Sequence, residues 1–369
     1  METNLKPTYL DPHQNDEMAS HRLRACALGC TLLMACGYAQ AHVFCVSTAT
    51  QLQGALTDAS DGGMYNGEDN NVLVVQGTYV VGSATGNGPF HYHSTASVGE
   101  MNLRGGYDAG CAIQTRKASL TVLDGNHIAQ VLSIRSSTAN ISVVNFTIQN
   151  GETSQVGAGL AVNFVSGDNS GAVIQGNFIR NNHTTGQAGG LFVIGGASGL
   201  RFLYVQNDLI TGNSADSGFG AGKVIGPGGD TDFDNCTVTQ NTTTLAGGSG
   251  GLYYDGSGSP LPYVANSIFW NNTNAGIYLA NSNVHMDYND YGTLGGAVPV
   301  ASIGNLSVNP RFVDAAGGDF HLAGDSPLLG KSPELYGNID PDGNQGPAGG
   351  KMDMGAYNET IFIDGLEGG

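Results

Sequence analysis

Three aspartates alternate with other residues in the stretch DTDFD, at Asp230, Asp232 and Asp234. On a β-strand, alternate side chains point to the same side and lie about 6.5 to 7 Å apart. That separation is close to the one between the acid and the base of an inverting glycoside hydrolase. Neighbouring carboxyl groups also raise one another's pKa, which general acid catalysis exploits. The three aspartates are therefore candidate catalytic residues.

Related segments on either side of DTDFD carry aromatic and amide side chains at matching positions. Tyr204 and Tyr263 match Asp232, and Gln175 and Gln206 match the outward position that follows it. Rings stack on the apolar faces of sugars and amides bind hydroxyls, so these are candidate substrate-binding residues. Carboxylates could equally hold calcium, against which an acidic sugar could be placed for β-elimination. The plainer alternative is that outward strand positions must be polar, since charges there deter edge-to-edge aggregation.

These segments belong to a repeat that occurs five times between Ile141 and Gly276. Aligned on one apolar anchor position, the copies are 31, 31, 28 and 31 residues apart. The anchors are Ile148, Ile179, Ile210, Val238 and Phe269. A second apolar column stands five residues earlier, at Val143, Ile174, Val205, Phe233 and Val264. A fixed period of this size indicates a repeat architecture. The parity of the second column places the aspartates on the outward side of their strand, where we expect all three to line one exposed face.

Each copy also carries two polar corners and then a glycine-led strand. Three residues before the anchors stand Asn145, Gly176, Asn207, Asn235 and Asn266, and after the anchors come Gly151, Asn182, Asn213, Asn241 and Asn272. Each repeat therefore contains about three short strands, and none shows the apolar periodicity of a helix. Stacked coils would bury the apolar columns, and asparagine at one corner could hydrogen-bond to its equivalents above and below. The pattern predicts a parallel β-solenoid.

The repeats resemble the right-handed parallel β-helix, or pectin-lyase-like, family. The phrases VVQGTY, LRGGYDAGC and TVLDGN resemble the opening coils of bacterial secreted members. The resemblance, together with the sterics of crossover connections, implies a right-handed coil. Residues 48–59 form the one convincing helical stretch, which we expect to cap the first coil. The predicted fold class is all-β, a right-handed parallel β-helix with an N-terminal helical cap.

The first 41 residues predict export. A basic segment after Met18 precedes the apolar run ACALGCTLLMAC and the small-residue pattern Ala39-Gln40-Ala41, which is typical of signal peptide cleavage. Residues 1–17 do not fit the signal peptide pattern, and we interpret them as the result of a start codon assigned too early. Cys36, in the loosely lipobox-like LMAC, offers lipidation as the alternative. In an exported protein, Cys45 and Cys111 are expected to form a disulfide.

The remaining chain is divided into three parts. We assign residues 42–118 to the N-terminal cap and first coils, 119–310 to the β-helix repeats and 311–369 to a tail. The tail phrases DFHL, DSP and DMGAY resemble the C-terminal regions of choice-of-anchor surface proteins of bacteria. The terminal IFIDGLEGG resembles short end motifs of exported proteins in some gamma-proteobacteria. Together these resemblances imply a cell-surface or extracellular location in a Gram-negative bacterium.

Composition narrows the function classes. The formal net charge of −18 repels phosphate backbones, so nucleic acid is not an expected partner. No apolar run after the first 41 residues is long enough to span a membrane. We expect a monomer without a resident metal or cofactor, with calcium as the stated alternative. The leading prediction is a non-catalytic protein that binds glycans or mediates adhesion, and the alternative is a polysaccharide lyase or glycoside hydrolase.

Overall fold

The computed structural model describes residues 41–96, 99–166, 170–196, 199–258, 261–333, 339–346 and 351–358. Within them, nearly all regular structure is parallel β-sheet, and the chain winds into a parallel β-helix as predicted. The predicted signal peptide, Cys36 and the terminal IFIDGLEGG lie outside the described residues.

Three long parallel sheets run along the solenoid. Sheet 1 contains, in spatial order, β1 (His42–Val46), β2 (Asn70–Val75), β5 (Glu100–Tyr107), β8 (Asn140–Val144), β12 (Gly171–Gln175), β16 (Phe202–Gln206), β20 (Asp230–Asp234), β24 (Tyr263–Ala265), β27 (His285–Asp287) and β30 (Ala301–Ile303). Sheet 2 contains β3 (Gly77–Val80), β6 (Thr121–Asp124), β9 (Thr147–Gln149), β13 (Phe178–Arg180), β17 (Leu209–Thr211), β21 (Thr237–Thr239), β25 (Ile268–Trp270) and β28 (Asp290–Tyr291).

Sheet 3 contains β4 (Phe90–Ser94), β7 (Leu132–Ser136), β11 (Leu160–Phe164), β15 (Leu191–Ile194), β19 (Gly222–Pro227), β23 (Leu252–Ser257), β26 (Ile277–Leu279) and β29 (Leu294–Gly296). A short sheet 4 lies between sheets 2 and 3 in the chain and contains β10 (Glu152–Thr153), β14 (His183–Thr184), β18 (Ser214–Ala215) and β22 (Thr242–Thr243). Two 3₁₀ turns cover Ser83–Thr85 and Ala118–Leu120.

The core consists of apolar columns inside the coil. The five anchors pair directly with one another in sheet 2, as predicted, and all are fully buried. The column from Val143 to Val264 pairs in the same way in sheet 1. Because each coil stacks about 4.8 Å from the next, these side chains exclude water continuously along the axis.

Two ladders of hydrogen-bonded side chains stabilise the corners of the coils. The first ladder follows the strands of sheet 2, and the second follows the strands of sheet 1. In the predicted ladder, the side-chain amide of each asparagine donates to the next one, over Asn182, Asn213, Asn241 and Asn272, at 2.9 to 3.0 Å. The second ladder accepts backbone N–H groups from the preceding coil and contains Asn177, Asp208, Cys236, Ser267, Asn289 and Asn305. Residues before this second ladder adopt the left-handed conformation that asparagine and glycine tolerate, with φ from 50° to 65° over the repeats.

Helix α1 (Ala49–Ala59) caps the first coils. Thr48 accepts a hydrogen bond from the N–H of Gln51 and begins the helix. The Gln53 side chain exchanges hydrogen bonds with the backbone of His91 on β4, the first strand of sheet 3. Leu52, on the inner side of the helix, is fully buried. The helix thus satisfies an edge that would otherwise be free to pair with another chain.

The predicted disulfide is present. Cys45 on β1 is bonded to Cys111 in the loop after β5, across a sequence separation of 66 residues. The remaining cysteine of the described region, Cys236, is buried within the second ladder. The disulfide ties the first strand of sheet 1 to the loop that follows the third strand of that sheet.

The tail lies along the outer face of sheet 2. Strands β31 (Phe312–Asp314) and β32 (Asp319–Leu322) form an antiparallel pair. Phe320 and Tyr357 of the tail pack against Phe178 and Leu209 of sheet 2. The N–H of Gly355 donates to the carbonyl of Asn266 at 2.6 Å. The tail therefore covers apolar side chains that point away from the solenoid core.

Candidate functional site

Strand β20 places the three aspartates because its alternate residues are drawn into the core. Thr231 and Phe233 point inward and are buried, and Phe233 stacks on Phe269 with ring centroids 5.7 Å apart. The intervening aspartates must then point to the outer face of sheet 1. The strand is fixed by parallel pairing to β16 on one side and β24 on the other.

The pairing register brings all seven predicted site residues together on this outer face. Asp232 pairs with Tyr204 and Tyr263, so these three residues form one column. Gln175, Gln206 and Asp234 form the adjacent column. Asp230 begins the strand opposite Phe202. We call this group, with Phe202 and His285, the sheet 1 patch.

The prediction that the aspartates line an exposed face is wrong for two of them. Asp232 is only 4% exposed and Asp234 only 5% exposed, whereas Asp230 is half-buried. The physical reason is the length of their neighbours. Asp232 lies between the larger Tyr204 and Tyr263 of adjacent coils, and Asp234 lies beside the longer Gln206 on one side. The side chain of the patch that reaches furthest into solvent is Tyr263, which is 38% exposed.

Burial changes the protonation behaviour of the carboxyl groups. Removal from water raises the pKa of Asp234 well above its usual range, and the nearby charge of Asp232 raises it further. A hydrogen bond from the Gln206 side chain opposes this shift. The Tyr204 hydroxyl donates to Asp230 Oδ2 at 2.8 Å, and burial followed by this bond raises the pKa of Tyr204. The patch thus combines a carboxyl group that favours its protonated form with tyrosines that stay neutral.

Aromatic pairs stand on both sides of the aspartates. Phe202 and Tyr204 stack with centroids 5.2 Å apart, and the Arg201 guanidinium lies 5.0 Å from the Phe202 ring. On the other side, Tyr263 stacks on His285 at 4.7 Å. Sequence reasoning missed His285. Extending the outward column by one more coil would have found it, because His285 pairs directly with Tyr263.

The patch does not have the geometry of a preformed metal centre. In the described part of the chain, no three or more His, Cys, Asp or Glu side chains are arranged to hold a metal ion. Calcium as a cofactor therefore stays a prediction. The described helices also include none long and apolar enough to cross a membrane.

The comparisons with known proteins leave the family open. No protein-family model matches the sequence, and neither a curated protein nor a solved structure matches it. What the chain does must therefore be argued from the geometry of its own surfaces.

Proposed function

We propose that this chain is an exported glycan-binding solenoid, and that the sheet 1 patch binds the glycan without cleaving it. One observation carries the proposal: Tyr204, Asp232, Tyr263 and His285 form a single outward column over four successive coils. The rings of Tyr204, Tyr263 and His285 therefore lie in one row along the solenoid axis, and each ring carries a hydrogen-bonding group of its own. Such a row suits a sugar chain, which offers both apolar ring faces and hydroxyls.

Burial of the carboxyl groups favours binding over catalysis. A glycosidase needs two carboxyl groups that reach the scissile bond from either side of it. Asp232 and Asp234 lie beneath their neighbours, and Asp230 is hydrogen-bonded to the Tyr204 hydroxyl. In this role Asp230 holds Tyr204 in place through that hydrogen bond, while Tyr263 supplies the exposed ring for the ligand.

One observation favours the alternative function of a polysaccharide hydrolase or lyase. Asp234 has a raised pKa and lies beside the carboxyl group of Asp232. A carboxyl group that keeps its proton next to a second carboxyl group is the arrangement that a general acid and its partner base use. Under this alternative, a sugar would have to displace the covering side chains before reaction. Turnover that disappears in Asp232→Asn, or unsaturated products that form only with calcium, would favour the alternative over binding alone.

Export is part of the proposal. A disulfide between Cys45 and Cys111 suits an oxidising compartment, and the predicted signal peptide would deliver the chain there. The finer resemblances, to pectin-lyase-like enzymes and to choice-of-anchor proteins, also belong to the proposal. Tail residues Met354 and Tyr357 of the anchor-like phrase are buried against sheet 2. We infer that these tail residues pack on the solenoid as part of the same fold. We also propose that the protein acts as a monomer on extracellular glycans.

The test is binding of the purified chain to neutral and acidic polysaccharides, with and without calcium, followed by calorimetry and by the appearance of reducing ends. Tyr263→Ala should weaken binding about tenfold, because it removes the exposed stacking ring. Tyr107→Ala is the matched control, since it lies on β5 of the same sheet, five strand spacings or about 24 Å away. Equal affinity of both variants for every ligand of the parent chain would contradict the proposal.

A further inference from the structure

We propose that the outer face of sheet 3 is a second glycan-binding surface, distinct from the sheet 1 patch. Its centre is a column of outward side chains on four successive strands, β15, β19, β23 and β26. The column consists of Phe192, Lys223, Tyr253 and Tyr278, each directly paired with the next. Three strand spacings of about 4.8 Å give the column a length of about 14 Å. We call it the sheet 3 column.

The aromatic rings of the column form a connected platform. Tyr253 and Tyr278 are stacked, with centroids 5.8 Å apart and an angle of 11° between their planes. Phe219, from the turn before β19, lies 4.9 Å from Tyr253 and 5.7 Å from Tyr278. Tyr278 is 36% exposed, and the other two rings are half-buried. The rings are therefore held by one another while part of their surface faces solvent.

A glycine on the next coil fixes the position of the outermost ring. Gly295 pairs with Tyr278, and a Cβ atom at residue 295 would come within 2.8 Å of Tyr278 Cδ2. The Tyr278 ring therefore lies directly against backbone that carries no side chain. A larger residue at this position would push the ring away from the platform.

Hydrogen-bonding groups border the rings. Lys223 Nζ lies 4.6 Å from the centroid of Tyr253 and 3.0 Å from Gln187 Oε1. Asp255 stands on the same strand as Tyr253 and accepts a hydrogen bond from Asn281 Nδ2 at 2.8 Å. These amide, ammonium and carboxylate groups can exchange hydrogen bonds with sugar hydroxyls while the rings stack on the sugar faces.

The charge balance around the sheet 3 column favours a neutral glycan. Lys223 is accompanied by Asp255, whose charge acts on the same ammonium group. The local pair is close to neutral, and the chain as a whole carries a formal net charge of −18. An anionic polymer would gain little from the single lysine and would be repelled at longer range. The occupant we infer is therefore an uncharged sugar chain longer than one ring.

Half-buried aliphatic side chains extend the same face. Ile194 and Ile225 are paired neighbours in the next outward column of sheet 3. Contiguous apolar surface bordered by polar groups marks an interaction site more often than isolated exposed residues do. A second copy of the chain could also cover such a surface, so the experiment must separate the two occupants.

The experiment is calorimetric titration of the full chain with soluble neutral hexasaccharides of glucose, mannose, xylose and galactose. Oligogalacturonate serves as the anionic counterpart. We expect binding of at least one neutral hexasaccharide that weakens about tenfold in Tyr278→Ala and about a hundredfold when Tyr253→Ala is added. Gly295→Leu should weaken binding as well, although both tyrosines remain. Tyr263→Ala, on sheet 1, should leave this site intact.

Stoichiometry distinguishes this inference from the proposed function. If both hold for one sugar, the parent chain binds two equivalents, and each of Tyr263→Ala and Tyr278→Ala weakens the binding of one equivalent about tenfold while the other keeps its affinity. Loss of binding only in Tyr263→Ala would overturn the sheet 3 proposal and keep the sheet 1 proposal. Absence of binding to every neutral probe, tighter binding of oligogalacturonate, or self-association that disappears in Tyr253→Ala/Tyr278→Ala would also overturn the sheet 3 proposal.

Discussion

Replacement of Asp208 by asparagine should stabilise this protein at neutral pH. Asp208 is fully buried in the second ladder, where its Oδ1 accepts hydrogen bonds from the backbone N–H and side-chain amide of Asn177, at 2.7 and 3.0 Å. Its Oδ2 is buried with no hydrogen-bond partner among the described residues. Burial raises the pKa of Asp208 from 3.8 to about 8, against the lowering effect of the Asn177 bonds.

The sign and size of the effect follow from this shift. Because the folded-state pKa is raised, the stabilising contribution of the protonated form is complete below about pH 4 and is lost as the pH rises to about 8. At pH 7, Asp208 is ionised in the unfolded chain but mostly protonated in the folded chain. At 1.36 kcal/mol per pH unit, this difference lowers the free energy of unfolding by about 4 kcal/mol. Asparagine has no such cost and can keep the Oδ1 bonds to Asn177. Its amide can also donate to a carbonyl of the preceding coil, as Asn177 does to Val143 at 3.0 Å.

The assay is urea unfolding of parent and Asp208→Asn, followed by circular dichroism between pH 5 and pH 9. The stability advantage of the variant should grow by about 3 kcal/mol between pH 5 and pH 7 and level off above pH 8. Asp58→Asn, on the exposed side of α1, is the matched control and should show no such growth. A variant less stable than the parent at pH 7, or an advantage independent of pH, would refute the reasoning.

Three further changes test the forces that hold the coils together. Asn213→Ala should lower the free energy of unfolding by about 2 to 4 kcal/mol, since it leaves buried ladder partners without hydrogen bonds on both neighbouring coils; a loss below 1 kcal/mol in urea unfolding would contradict this. Joint replacement of Cys45 and Cys111 by alanine should lower the free energy of unfolding by about 4 kcal/mol, because the disulfide closes a loop of 66 residues. An unchanged melting temperature would contradict this. Gly251→Ala should lower the free energy of unfolding by about 1 to 3 kcal/mol or more, because the added Cβ would meet a backbone oxygen of the next coil at 1.8 Å. Unchanged stability in urea unfolding would show that the coils can separate at this position.

The sequence allowed the solenoid and its register to be predicted because both depend on repeated, local patterns. The anchor column needed only the recurrence of an apolar residue after a nearly constant interval, and the structure pairs Ile179 directly with Ile210. The asparagine ladder was predictable for the same reason, since a polar residue repeated at a buried corner must bond to its own equivalents. The alignment of Tyr204, Asp232 and Tyr263 followed from the register alone.

Burial on the outer surface could not be predicted from alternation. Alternation separates inward from outward positions, but it does not say what covers an outward side chain. Asp232 is covered by longer side chains on adjacent coils, whereas Phe178 is covered by the tail. An apolar residue at an outward position, as at Phe178 and Leu209, was the available signal that another segment packs there. The signal for Asp232 was the size difference between it and the two tyrosines of its column.

The most direct test of the proposed function is hydroxyl-radical footprinting of the full chain with and without its tightest-binding glycan. The account predicts strong protection of the exposed Tyr263 and of its stacking partner His285, with Tyr107 unchanged. Modification of Tyr263 and His285 that is the same with and without saturating glycan would contradict the assignment of glycan binding to sheet 1.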